Sequence, residues 1–159
     1  MSSRIVYPKV APGAFRAMLG LEECIHDFGL EASLLELVKM RASQINGCAY
    51  CLDMHSKDAR AAGETEQRLY LLDAWREAPF YTQRERAALS WTEALTLVAD
   101  NHIPDEIYNE ARQHFSEQEL VNLSLAVIAI NGWNRLAIAF RSEVGAYQAG
   151  MVTTLMNKG

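Results

Sequence analysis

The stretch Asn46-Gly47-Cys48-Ala49-Tyr50-Cys51-Leu52-Asp53-Met54-His55, continued to Ala62, closes one helix and opens another. Glycine tolerates the left-handed conformation in which helices commonly end, so Asn46-Gly47 reads as a stop and the thiols that follow as a new start. On a helix turning about 100° per residue, with Cys48 as origin, Cys51 falls at about 300° and His55 at about 340°. Leu52, Ala59 and Ala62 continue that stripe, whereas Asp53, Lys57 and Arg60 lie on the opposite side. The segment is therefore predicted to be an amphipathic helix whose N-terminal mouth turns two thiols and an imidazole inward.

Helical periods continue on both sides. One helix is expected from about Gly13 to Phe28, ended by Gly29, and the next from Ser33 to the Asn46-Gly47 stop. After Gly63, Thr65 can cap a further helix that reaches Trp75, before Pro79. Thr82 with Glu85 forms a capping-box pattern that opens an amphipathic helix to about Asp100, and Pro104 to His114 reads as another. Ser116 with Glu119 repeats the capping box and starts a run to Phe140 that is apolar on nearly every side, as a central or interface helix would be. No segment alternates like a strand, and no linker or internal repeat divides the chain. The expectation is an all-α fold: a single domain over residues 1–159, with its core at about 13–142. It would hold about seven helices in an orthogonal or bundle-like array, with a loose tail after Gly145.

Composition narrows the function. Half of the residues (50%) are hydrophobic and 22% are charged, as in a globular domain. The net charge is -5, and no Lys/Arg cluster is present to neutralise phosphates, so no nucleic-acid partner is expected. The longest apolar stretch, Leu125 to Ile130, is too short to span a bilayer, and the segment up to Met18 carries Pro8, Pro12 and Arg16 rather than a signal core. A cytoplasmic protein is expected. In such a reducing compartment a C-x-x-C pair points to catalysis or metal rather than to a structural crosslink.

The spacing favours redox chemistry. Cys48 and Cys51 are three apart, within reach of a disulfide, and Cys51 and His55 are four apart, within reach of proton exchange. An ordinary thiol has a pKa of about 8.5, and a helix N-terminus contributes about 0.3–1 kcal/mol, less than one unit. A neighbouring imidazole can add roughly one to three units, which makes His55 the expected activator and Cys51 the thiol that benefits most. The competing reading is a zinc-binding or redox-sensing module held by Cys48, Cys51, His55 and Glu36, although no second ligand pair exists elsewhere. Outside this segment, Cys24 reads as a buried spare thiol, with His26 pointing to the other face. His102 and His114 have sufficient structural roles at helix ends, and Trp75, Trp91 and Trp133 read as core or interface residues.

With Glu36 twelve positions before Cys48, the pattern resembles the signature of the AhpD-like alkylhydroperoxidases of the carboxymuconolactone decarboxylase family. The stretch Asn131-Gly132-Trp133-Asn134-Arg135-Leu136 is similar to that family's C-terminal helix. The resemblance implies that Cys51 attacks a hydroperoxide, Cys48 resolves it as a disulfide, His55 is the base and Glu36 its carboxylate partner. It implies no cofactor, a dithiol reductant such as a lipoyl-bearing protein, and a homo-oligomer, trimer or hexamer. It also leaves room for a non-redox, decarboxylase-like member that does not need the thiols. One feature departs from it: Tyr50 stands where some members carry a second histidine. Periodicity alone turns Glu36 away from Leu34, Val38, Ala42 and Ile45 into solvent, or into a capping box with Ser33.

Overall fold

Both capping boxes form. In the computed structural model, which describes residues 2–151, the Glu85 amide donates to Thr82 Oγ1 at 3.2 Å while the Thr82 amide donates to the Glu85 carboxylate at 2.7 Å. Ser116 and Glu119 make the same reciprocal pair at 3.2 and 2.8 Å. Each satisfies two orphan amides at a helix start and so fixes where the helix begins.

Nine α-helices follow among the described residues: α1 (Tyr7–Val10), α2 (Pro12–Asp27), α3 (Ala32–Asn46), α4 (Ala49–Ala61), α5 (Glu66–Tyr70), α6 (Gln83–Thr96), α7 (Val98–Asn101), α8 (Asp105–His114) and α9 (Glu117–Phe140). The all-α single domain is as expected. The extra helices come from the short α1 and from a break at Leu97, where Asn101 Nδ2 takes the carbonyls of Ala94 and Leu97 and winds a separate turn. The helix capped by Thr65 ends early, at Tyr70, and continues as a 3₁₀ turn over Leu72–Ala74.

The long α9 packs against α2, α3, α4, α6 and α8. Leu123, Val127 and Ile130 are fully buried, and Val121 and Ile128 remain on its outer edge. It is long and apolar enough to cross a membrane by composition, but it runs through the middle of this fold. The other central element is α3, with Leu34, Leu35, Leu37, Val38, Met40 and Ala42 all buried. A helix buried on several sides has no solvent face, which is why the outward placement of Glu36 fails. Gly47 closes α3 at φ +66°, and α4 starts immediately behind it.

The expected loose tail is partly overturned. Tyr147 is buried, its hydroxyl bonds the Asp58 carboxylate at 2.8 Å, and Lys57 Nζ donates to the Tyr147 carbonyl at 3.0 Å, so residues 144–151 strap across α4. The rest of that tail lies outside the described residues.

Candidate active site

Helix α4 delivers the thiols as its period requires: Cys48, Cys51, His55 and Ala59 are buried on one stripe, while Ala62 lies past the helix end and is exposed. Cys51 and His55 line a cavity of about 210 Å³ between α1, α2, α3, α4 and α9, and Cys48 sits behind Cys51, away from it. The two cysteines are free thiols.

Glu36 reaches across from α3. Its Oε2 lies 3.0 Å from His55 Nδ1. Helix α3 begins after Glu31 with no side-chain cap, so the Ser33 capping box does not form and Glu36 is free for the imidazole. Burial alone would raise the Glu36 carboxyl, but the hydrogen bond and charge of His55, with the charge of Lys39, hold it below the ordinary carboxylate range. An ionised carboxylate only accepts, so it fixes the proton on Nδ1 and leaves Nε2 for the cavity.

The thiols bond to each other rather than to His55. Hydrogen bonding from Cys51 brings Cys48 down to about 7, helped by the amides of Cys51 and Tyr50 and the side chain of Asn134, against its burial. Cys51 is pushed the other way, chiefly by that same bond and by burial, with Asn134 and Ser43 pulling it back. The pair thus releases its first proton near neutrality and holds the second tightly; the values belong to the pair, and the S–H···S bond lets the charge pass between sulfurs. Spacing points to His55 as the activator; the structure adds the second sulfur and the α4 amides as groups that lower the Cys48 thiol.

Underneath lies a polar lattice that the thiol motif does not announce. Asn134, fully buried on α9, donates to Ser43 Oγ at 3.0 Å and accepts from Asn46 Nδ2 at 2.9 Å. An amide placed in an otherwise apolar helix must find such partners, and that is the one signal the sequence offers for it. Opposite the thiols, Lys39 Nζ meets Glu22 Oε2 at 2.8 Å, and Trp133 Nε1 donates to Glu22 Oε1 at 3.0 Å. Trp133 therefore walls the cavity rather than serving only as core. Tyr7 and Phe15 complete the apolar wall.

Three further expectations resolve here. Cys24 is exposed, not buried. Tyr50 lines the cavity at the position between the cysteines. Among the described residues no three His, Cys, Asp or Glu side chains are grouped to hold a metal ion, so the zinc arrangement of Cys48, Cys51, His55 and Glu36 is not built.

The profile of the carboxymuconolactone decarboxylase family matches residues 12–94. The chain is 45% identical over 146 residues to the uncharacterised protein YdfG of Bacillus subtilis, covering 92% of this chain and 99% of that one. The crystal structure of ATU0492 from Agrobacterium tumefaciens, a protein of unknown function named as a candidate antioxidant defence protein AhpD, superposes with a TM-score of 0.89 at 45% identity, covering 92% of this chain and 100% of that one. An AhpD-core, peroxidase-related protein of Ralstonia eutropha shares the fold alone, at 17% identity and TM-score 0.78, covering 89% of this chain and 75% of that one.

Proposed function

Because the chain belongs to the carboxymuconolactone decarboxylase family, as an AhpD-like member, we propose that it is a thiol peroxidase that reduces alkyl hydroperoxides through Cys51 and Cys48. The observation that carries this reading is the division of labour within the pair: Cys51 alone of the two faces the cavity, beside a His55 held by Glu36.

The monoanionic pair places charge on Cys51 whenever Cys48 keeps the shared proton, with His55 one turn along the same helix and lining the same cavity to take part in that transfer. Thiolate Cys51 attacks the terminal oxygen of R–O–O–H; the S–O bond forms, the O–O bond breaks, and R–O⁻ leaves to be protonated to the alcohol. Cys48 then attacks the Cys51 sulfenic acid; the S–S bond forms, the S–O bond breaks, and the proton that Cys48 gives up goes to the departing hydroxide, which leaves as water. The sum is one hydroperoxide reduced and one dithiol oxidised. A dithiol reductant, such as a protein-bound lipoyl group, returns two electrons and two protons to reopen the bond.

The cavity wall suits a small, mostly apolar peroxide: Phe15, Leu19, Met54 and Trp133 give it contact area. Its acidic members, Glu22, Glu36 and Asp58, outnumber Lys39, which disfavours a carboxylate-bearing substrate. A homo-oligomer, trimer or hexamer, would cover the outward Val121, Ile128 and Ile138 of α9.

Mass spectrometry after one equivalent of tert-butyl hydroperoxide tests the reading. The expected product has lost two hydrogens, mapped to a Cys48–Cys51 disulfide, and Cys51→Ser prevents it. Thiols that remain free after peroxide treatment overturn the proposal.

A further inference from the structure

Tyr7 is one of the polar groups at this cavity that the chemistry above does not use. The backbone amide of Arg4 donates to the Phe140 carbonyl at 3.0 Å, which pins the N-terminal segment to the end of α9 and lays α1 over the cavity. The Tyr7 ring is clamped between Phe15 and Phe140, with ring centroids 6.1 and 5.8 Å away. Aromatic contacts of this kind fix a ring's direction without restraining its hydroxyl.

Two observations say what that hydroxyl is free to do. Ser142 is a side-chain hydrogen-bond partner of the phenol. Tyr7 also lines the same cavity as Cys51, so its hydroxyl is on an element that faces the reacting sulfur. Burial, with charge on Tyr50, Cys51 and Cys48 nearby, pushes the phenol up to about 12, so it stays a neutral donor throughout the range in which the thiols work.

The reaction has a matching need. His55 Nδ1 is committed to Glu36, so among the groups assigned so far only Nε2, once it holds the Cys51 proton, could protonate the expelled alkoxide, and it would have to serve both the sulfur and the leaving oxygen. We propose that the Tyr7 hydroxyl is a further catalytic residue of this site and donates its proton to the oxygen that leaves the peroxide bond. The inference rests on the peroxidase reading. As the Cys51 sulfur–oxygen bond forms and the O–O bond breaks, the Tyr7 proton passes to R–O⁻, giving R–OH. An alkoxide is the stronger base, so the transfer runs downhill. The phenolate recovers the proton that Cys51 gave up, by way of His55 and the cavity.

The test is Tyr7→Phe, which keeps the ring and removes the proton, measured with two oxidants of different leaving group. With tert-butyl hydroperoxide, whose alkoxide must be protonated, kcat/KM is expected to fall about 10- to 100-fold, the usual worth of one donor at a developing oxyanion. With peracetic acid, whose acetate leaves unaided, it should fall less than about 3-fold. Iodoacetamide labelling of the pair should keep its rate and pH midpoint, which a merely structural loss would disturb. Equal losses with both oxidants, or no loss with either, overturn the role of Tyr7 while leaving the peroxidase standing; a wild-type protein inert to both overturns the two together. If Tyr7→Phe does not fold, replacing Tyr7 by 3,5-difluorotyrosine, which keeps the ring and makes the phenol more acidic, must bring a loss of tert-butyl hydroperoxide turnover at lower pH than in the wild type and no such loss with peracetic acid, or the role is refuted.

Discussion

Cys24 and Cys51 are the same side chain on two helices of one domain, α2 and α4, and the fold treats them in opposite ways. Cys24 stands exposed on α2, among the exposed Glu23, His26 and Asp27. Cys51 is buried, shares a proton with a second sulfur, rests on Asn134 and Ser43, and faces a cavity with His55. The contrast teaches that reactivity here is conferred by what surrounds a sulfur. A helix supplies the spacing of the pair, and a second helix, α9, supplies the amide that makes its charge tolerable.

The largest effect should come from exchanging one atom at each position. Cys51→Ser is expected to lower hydroperoxide turnover by about 10³-fold or more, because a serine hydroxyl can neither attack the peroxide nor close a disulfide. Cys24→Ser should change it less than about 2-fold, as expected for a surface position away from the chemistry. A coupled assay with a dithiol reductant decides it; a comparable loss at Cys24 breaks the comparison, and full turnover of some other substrate by Cys51→Ser would move the protein to the non-redox side of its family.

Glu36→Gln probes the imidazole's orientation. The amide introduced there can donate to Nδ1, favour the wrong tautomer and turn the basic nitrogen away from the cavity. Turnover should fall about 10- to 100-fold with the thiols still present by titration, the scale on which a partner group that orients a ring contributes. An unchanged rate would mean that Glu36 only fills space.

The thiol pair itself can be titrated by the pH dependence of iodoacetamide labelling in the Cys24→Ser background. A midpoint at about 7 is expected, against about 8.5 for an ordinary thiol. The sign is fixed by the depressed first ionisation: labelling falls tenfold per unit below the midpoint and levels off above it. Asn134→Ala, which removes a donor to both sulfurs, should move the midpoint upward and slow labelling at pH 7 several-fold. A midpoint near that of a free thiol would mean that the S–H···S bond contributes nothing.

Much of this can be read from the chain, and the omissions have a common cause. The capping boxes at Thr82 and Ser116, the Gly47 stop and the stripe of Cys48, Cys51 and His55 are local patterns, fixed within one or two turns, and all of them hold. Periodicity misplaces Glu36 because the Leu34–Val38–Ala42 period marks only one buried face, although Leu35, Leu37 and Met40 offer others. Cys24 errs in the other direction: its hydrophobic character suggests burial, and it stands exposed on α2 between the exposed Glu23 and His26. The dependence of the thiols on Asn134, of Glu22 on Lys39 and Trp133, and of Asp58 on Tyr147 joins residues far apart in sequence. No short window along the chain contains both members of any of these pairs.

The smallest predicted effect isolates the part of the site that is legible from the part that is not. Gly47 has φ +66°, and a Cβ built there meets nothing within 4 Å, so the cost of Gly47→Ala is conformational alone. A left-handed conformation costs a residue with a Cβ about 1–2 kcal/mol. For a domain of this size that corresponds to a fall in Tm of about 2–8 °C, measurable by thermal unfolding. The pair's labelling midpoint should stay at about 7 in the same variant, since its causes are the partner sulfur, the α4 amides and Asn134, none of which the added methyl touches. A lower Tm with an unmoved midpoint would separate the turn that positions the thiols from the contacts that activate them. A midpoint that moves with the turn would show that α4's start, rather than its surroundings, sets the difference between Cys51 and Cys24.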